Sequence, residues 1–479
     1  MPRWALPTCA TVALLAFGAC GRWGFAAGTT GDGGTGDDDD GSGSGSNPDA
    51  LPPLPPTLIT TTLAAGSRAD IQGIGYASDG TLAVTGGYLG TITLDGQSIT
   101  QVAGSFGDAW GALIDADAHT QGVYSAGIDS FGQGRGISRD GTNLTSVGYF
   151  AGTMTNVENR NSGSGQDIFL TVATEGGALL ASGNWGSGGN CQARQVASRN
   201  GHIVMLGTYV STFNFGTGPL PDTNGQDNGF IASFPSDLST PKVRTLNGAS
   251  DAFPSAIDIG PDGSMCIAGR FSAPTDFGSG SQLPSNGSAA FIAKYDADLN
   301  YMWATAVGSD ALAAGVAMLS DGSCVATGQF FTSFGSLTAV GNYDIWVGRF
   351  AAADGATTWL RGYGSVNADS GAAVAAIPGG GFLLSAIFNG ASTAPMGMVT
   401  ADGGNDGFIA RFDDDGTPVT QELIGGTGDI TYARGLAVSG DGSRIALGLA
   451  FSGNVTVAGL QASTVESSEA GVLFLPMLH

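Results

Sequence analysis

Beyond about residue 57 the chain is a succession of short apolar runs, each stopped by Gly, Asp or Asn. The stretch from Asp251 to Ser309 shows the pattern most cleanly. Apolar runs at 256–259 and 265–268 are separated by the turn Pro261-Asp262-Gly263, and the second stops at Gly269. A connection rich in Gly, Ser and Pro leads to a third run at 291–295, a turn at 296–300 and a fourth run at 301–307. Runs of this length with turn chemistry between them predict the strands of one antiparallel sheet. No run of useful length carries a helical period.

The pattern returns at intervals of about 60 residues, and three markers count it. The first is a turn: Asp79-Gly80, Asp140-Gly141, Asn200-Gly201, Asp262-Gly263, Asp321-Gly322, Gly379-Gly380 and Asp441-Gly442. Such pairs suit a two-residue hairpin, whose central positions both need positive φ. The second is a glycine six or seven residues later, at Gly86, Gly148, Gly207, Gly269, Gly328 and Gly448, with Ala386 as the exception. The third is an apolar strand at 110–114, 168–172, 230–234, 291–295, 345–350, 408–412 and 472–475. All three markers give seven copies, which predicts an all-β fold, a seven-bladed β-propeller of four-stranded antiparallel blades. A fourth strand follows the third in six copies, as 358–363 does before Gly364-Ser365. The seventh copy lacks it, and 58–65 with Gly66-Ser67 and Asp70 matches it at the other end. The N-terminal strand is therefore expected to complete the last blade and cover its open edge.

The runs GFIARFDDDG at 407–416 and DIWVGRFAAADGATTW at 344–359, then Gly364-Ser365 and Asp369, resemble the bacterial seven-bladed β-propeller repeat (SBBP) family. So does DGSCVATGQFFTSFG at 321–335. The resemblance covers roughly 57–479 and implies a propeller carried by a surface lipoprotein. It speaks to architecture rather than to activity.

Residues 1–20 read as a targeting segment, with Arg3 as its charge and 10–17 as its apolar core. The segment is too short to span a bilayer as a permanent helix. Phe17-Gly18-Ala19-Cys20 resembles a lipobox, which implies acylation of Cys20 and a lipid anchor at the outer membrane or cell surface. The alternative is an ordinary signal peptide cleaved near Ala27, leaving a periplasmic or secreted protein. Residues 21–56 are Gly/Ser/Thr-rich, contain the solvated acidic run Asp37 to Asp40, and end in a Pro-rich stretch. They predict a disordered tether with a stiff end, leaving 57–479 as one propeller domain. The net charge is −24, and only six of the 41 acidic residues lie in the first 56. Such a body repels nucleic acid and anionic membrane surfaces, so membrane contact is expected through the lipid alone.

Candidate chemistry is sparse. The three histidines, His119, His202 and His479, fall outside the expected inner strands, which leaves no members for a His-based triad or a zinc site. Cys266 and Cys324 lie in the second strands of adjacent repeats, offset by one position. They are expected to point to opposite faces and, with Cys191, to be buried free thiols. An acid recurs just before each first strand: Asp70, Asp129, Asp251, Asp310, Asp369 and Asp429, with Asn190 in the third repeat. One reading has each pin a turn by accepting from the backbone two residues on. The other has them form a carboxylate ring around the axial opening, suited to calcium, with no further cofactor implied. Phe215, Phe277 and Phe334, each followed by Gly, are expected to pack on the sheets, and 296–300 reads as a hairpin turn. The leading expectation is a binding or scaffold protein for a protein or glycan ligand. The alternative is a hydrolase or lyase acting on an extracellular polymer at the axial mouth. The 354–359 run, similar to the Asp-box hairpin of sialidase-type propellers, invites that second reading. An enzyme would place carboxylate with Arg, Tyr or His at one end of the channel.

Overall fold

The computed structural model describes residues 54–479, apart from 78, 157–159, 163–164, 175–177, 187, 222, 249–250 and 286. The leader, Cys20 and the tether through residue 53 lie outside the described residues. Among the described residues every helix-or-strand element is a β-strand. The 251–309 stretch forms Ala252–Ile259, Met265–Phe271, Ala289–Tyr295 and Tyr301–Val307, paired antiparallel in chain order as one sheet. The second and fifth repeats build four-stranded sheets in the same order.

The expected turn glycines take positive φ, but the turns differ in kind. Asn200 and Gly201 both do, closing a two-residue hairpin between Arg199 and His202. At Asp262-Gly263 only the glycine does, and the loop is one residue longer, with Gly260 N–H donating to Ser264 O at 2.8 Å. The aspartate stays in the right-handed region because its carboxylate accepts from Ser264 N–H at 3.0 Å.

The second and third markers turn out to be partners. Gly86 pairs with Trp110, Gly148 with Phe169, Gly207 with Phe230, Gly269 with Phe291 and Gly328 with Trp346. The aromatic ring lies across the glycine: a Cβ at Gly207 would sit 2.4 Å from Phe230 Cζ and 2.3 Å from Gln192 O. The position has room for neither, so the glycine answers to close approach.

Sheets pack face to face through their first strands. Gly73–Tyr76 lies against Phe131–Asp140, which lies against Cys191–Arg199 and so on through Ala252–Ile259, Ala311–Met318, Ser370–Ala376 and Asp429–Val438. Asp429–Val438 in turn contacts Gly73–Tyr76. Thr57–Leu63 joins the two ends of the body. Its first half pairs antiparallel with the C-terminal strand, from Thr57↔Phe474 to Thr60↔Gly471. Its second half leaves for the first repeat, with Thr61↔Leu94 to Leu63↔Ile92. The ladder to the C-terminal strand is thus half the length expected of a whole fourth strand, because the chain is handed on to the next sheet.

Cys266 and Cys324 form a disulfide, with Cα atoms 6.0 Å apart, which corrects the expectation of free thiols. The one-position offset is the cause. Stacked sheets meet through opposite faces, so residues on opposite faces of adjacent sheets point at each other. Cys191 is buried. Phe215, Phe277 and Phe334 are buried as expected; the Phe334 and Trp346 ring centroids are 4.5 Å apart.

Candidate functional site

Opposite the recurring glycine the first strand bulges. The register shifts at Arg135, Arg194, Ser255, Ala314 and Ala372, and again across Ala433 and Arg434. A bulge re-aims its extra side chain out of the sheet's alternation. These bulged side chains, with Gln72 just before Gly73–Tyr76, line one cavity of about 250 Å³ between the first strands. Ser255, Ala314 and Ala372 make a wall of small residues, and Arg135, Arg194 and Arg434 a basic one. Arg270 joins the basic wall from the second strand of its repeat.

Phe253 is the floor on which two of these arginines stack. The Arg270 and Arg194 guanidinium carbons lie 4.3 Å and 5.1 Å from its ring centroid. Arg135 Nη1 donates to Gln72 Oε1 at 3.4 Å and to Gln133 Oε1 at 3.3 Å. Burial, then the neighbouring Arg135 charge, pushes Arg194 down to about 10, and its Nε is buried without a hydrogen-bond partner. At neutral pH the group stays charged. Guanidinium groups held together in a partly desolvated space repel one another, and a bound anion relieves that repulsion while satisfying planar donors. The lining carries no carboxylate, Tyr or His among the described residues. Behind it, Asp70 accepts from Gln133 Nε2 at 3.1 Å and Tyr149 Oη donates to Gln133 Oε1 at 3.1 Å.

None of the recurring acids lines the cavity, although Asp70 stands behind its wall. Asp70 accepts from Gly87 N–H at 2.8 Å, Asp129 from Thr153 at 2.6 Å and Asp369 from Asn389 at 3.0 Å. Asp251 accepts from Asp227 N–H at 3.2 Å and Asp429 from Asn405 N–H at 2.8 Å. These donors belong to backbone 17 to 24 residues away in the chain, mostly within strands, rather than to the residue two on. Asp310 contributes its carbonyl to Phe331 N–H at 2.9 Å, and Asn190 makes an isolated bridge with Gln166. Among the described residues no three acidic, His or Cys side chains gather where they would hold a metal ion.

Sequence reasoning read the body as uniformly acidic and missed the arginines. The available signal was positional. In five repeats the cavity residue precedes the turn glycine by eight: Gln72 and Gly80, Ser255 and Gly263, Ala314 and Gly322, Ala372 and Gly380, Arg434 and Gly442. Aligning the repeats on that glycine exposes Gln, Ser, Ala, Ala and Arg at one equivalent position, a variable site on a constant frame.

No protein-family model matches the chain, and no curated protein does. Among solved structures it is similar in fold to the Neurospora crassa Pan2 WD40 domain, at 10% identity and TM-score 0.46, over 86% of this chain and 90% of that one. It is also similar to Kuenenia stuttgartiensis hydrazine synthase, at 10% identity and TM-score 0.44, over 83% and 96% of the two chains. A third is YCF48 bound to D1 peptide, at 10% identity and TM-score 0.40, over 91% and 99%. Likenesses this distant carry no argument about ligand or chemistry.

Proposed function

We propose that this chain is a lipid-anchored, extracytoplasmic seven-bladed β-propeller that binds an anionic group of a protein or glycan in its axial cavity. The observation that carries the reading is the convergence of Arg135, Arg194, Arg270 and Arg434 on one cavity of a chain whose net charge is −24. Concentrating positive charge in a concave site of an acidic body selects anions locally while the outer surface repels them. Seven repeat markers and the run of first-strand contacts support seven blades, and Thr57–Leu63 supports closure between last and first. The lipobox-like Cys20 and the tether after it support a lipid anchor at the outer membrane or cell surface. Among the described residues the lining offers donors and charge, which supports binding more directly than catalysis at the same mouth.

Titration of the 57–479 body with citrate and with oligogalacturonate tests the site. Binding is expected to weaken at least tenfold in the Arg194→Ala/Arg270→Ala double variant and to fall with salt. Equal affinity in the variant overturns the reading. Cys20→Ala is expected to release the protein from membranes; unchanged fractionation removes the anchor. For closure, deleting 1–53 is expected to leave the melting temperature alone and deleting 1–66 to lower it sharply. Equal melting of the two overturns closure.

A further inference from the structure

The interface between the first and second repeats is built unlike the others. Between the fourth and fifth, one continuous apolar core runs from Cys266 and Ile292 through Trp303 to Phe334 and Trp346. Between the first and second the buried apolar residues fall into two separate groups, one around Ile128, Phe150 and Phe169, the other around Leu113, Ile137 and Leu144. A cavity of about 550 Å³ lies between these repeats, with Leu113, Ile137, Leu144 and Phe169 among its walls.

The sequence shows why the space is open. In the third, fourth and fifth repeats the connection between second and third strands supplies Phe215, Phe277 or Phe334, and each is buried. Phe215 reaches back to the outer strand of the preceding repeat, its ring centroid 5.4 Å from that of Trp185. The corresponding connection of the second repeat, 152–166, has no aromatic residue. The buried Met154 stands there instead, six residues after Gly148 as Phe334 is after Gly328, and it brings no ring.

We propose that this cleft is a binding site for an uncharged, lipid-like small molecule whose apolar body fills the open space between the two repeats. The volume falls within the range of small-molecule sites, roughly 300–1,000 Å³. Among the described residues no lining side chain carries a charge, in a chain with 58 Lys, Arg, Asp and Glu side chains, so a charged ligand would be desolvated without a partner among them. Several polar lining groups are already engaged. Thr85 Oγ1 donates to Trp110 O at 2.8 Å, Ser125 Oγ to Asp108 Oδ2 at 2.6 Å, Thr155 Oγ1 to Gly127 O at 2.9 Å and Asn156 Nδ2 to Ser125 O at 3.0 Å. What faces the cavity is therefore mainly carbon, including Trp110. Tyr124 and Leu179, 43% and 40% exposed, supply apolar surface to solvent at the cleft.

The neutral probe N-phenyl-1-naphthylamine tests the site on the full chain. One equivalent is expected to bind, with emission sensitised by Trp110. Two filling variants from opposite walls, Ala126→Phe and Thr171→Phe, are expected to weaken binding at least tenfold. Each is read only if it melts cooperatively, and either one suffices. Arg194→Ala/Arg270→Ala, at the separate axial cavity, is expected to leave probe binding unchanged. Decanol is expected to displace the probe at least tenfold better than decanoate at pH 8. No stoichiometric binding, or undiminished binding in a folded filling variant, overturns the site. Equal displacement by decanol and decanoate overturns the uncharged class.

Discussion

The two ends of the sheets use the same residue types in opposite ways. At the end where strands reverse in tight turns, several charges are answered within hydrogen-bonding distance. Asp262 accepts from Ser264 N–H at 3.0 Å and Ser264 Oγ at 2.7 Å, and Asp321 accepts from Ser323 at 3.0 and 2.6 Å. The Ser264 hydroxyl and N–H hold Asp262 below the ordinary carboxylate range, and Thr417 does the same for Asp415. Basic side chains there cap carbonyls of the next repeat: Lys294 on Gly322 at 2.7 Å, Arg199 on Ile259 at 3.1 Å and Arg411 on Leu478 at 2.7 Å. At the loop end Asp108, Asp167 and Asp344 each start a third strand and Asp406 lies within Gly397–Phe412; each stands two residues before an aromatic, and all are buried. Burial raises all four, Asp167 to about 6. In the cavity near that end, arginines face arginines. Carboxylates stand near these arginines as well: Arg135 and Arg434 act on Asp70, and Arg194 and Arg270 on Asp227.

The contrast breaks first at the glycines. Gly207→Val forces a side chain into Gln192 O and the Phe230 ring, and is expected to cost about 3 kcal/mol or more. Gly141→Asn at a turn meets nothing within 4 Å, and its φ of 58° is one Asn adopts; it is expected to cost under about 1 kcal/mol. Urea unfolding of the pair measures both, and equal losses would dissolve the distinction.

Next in size is the disulfide. Cys266→Ala/Cys324→Ala opens a crosslink spanning 58 residues, and is expected to cost about 2–4 kcal/mol. Dithiothreitol should then lower the wild-type midpoint and leave the double variant's midpoint where it is.

The pH response separates the ends. A folded pKa above the unfolded value means that ionisation of Asp167 destabilises the fold, a penalty fully present above about 6 and gone near the unfolded value of about 3.9. Asp167→Asn is therefore expected to melt a few degrees higher than wild type at pH 7.5, with the gap closing as pH falls to about 4. A gap independent of pH would show that the carboxylate is not the cause. Smallest is Asp262→Ala, expected to cost about 1 kcal/mol at pH 7. Its folded pKa is depressed, so this contribution is present above the unfolded carboxylate value and is lost as pH falls through the folded one. Melts of the variant and wild type from pH 7 to 3 should converge.

What the chain dictates by itself is whatever depends on neighbours a few residues apart. Turn pairs such as Asn200-Gly201, the alternation of the strands, the repeat interval of about 60 residues and the glycine after each turn are local, so they are legible without a fold. The partner of that glycine was not legible, since Gly148 meets Phe169 only once the strands are in register. The lead-in acids looked alike in sequence, yet Asp129 reaches Thr153 and Asp251 reaches Asp227, because the backbone within their reach is set by the sheet. The tertiary structure alone decided the disulfide, because an offset of one position separates two side chains on one sheet and joins them across stacked sheets. It alone decided the cavity as well. A bulge opposite a glycine turns one side chain per strand inward, and Arg135 and Arg434 stand some 300 residues apart in the chain. Only the packing of one first strand on the next, through Asp429–Val438 against Gly73–Tyr76 and Gly73–Tyr76 against Phe131–Asp140, brings them into a single wall.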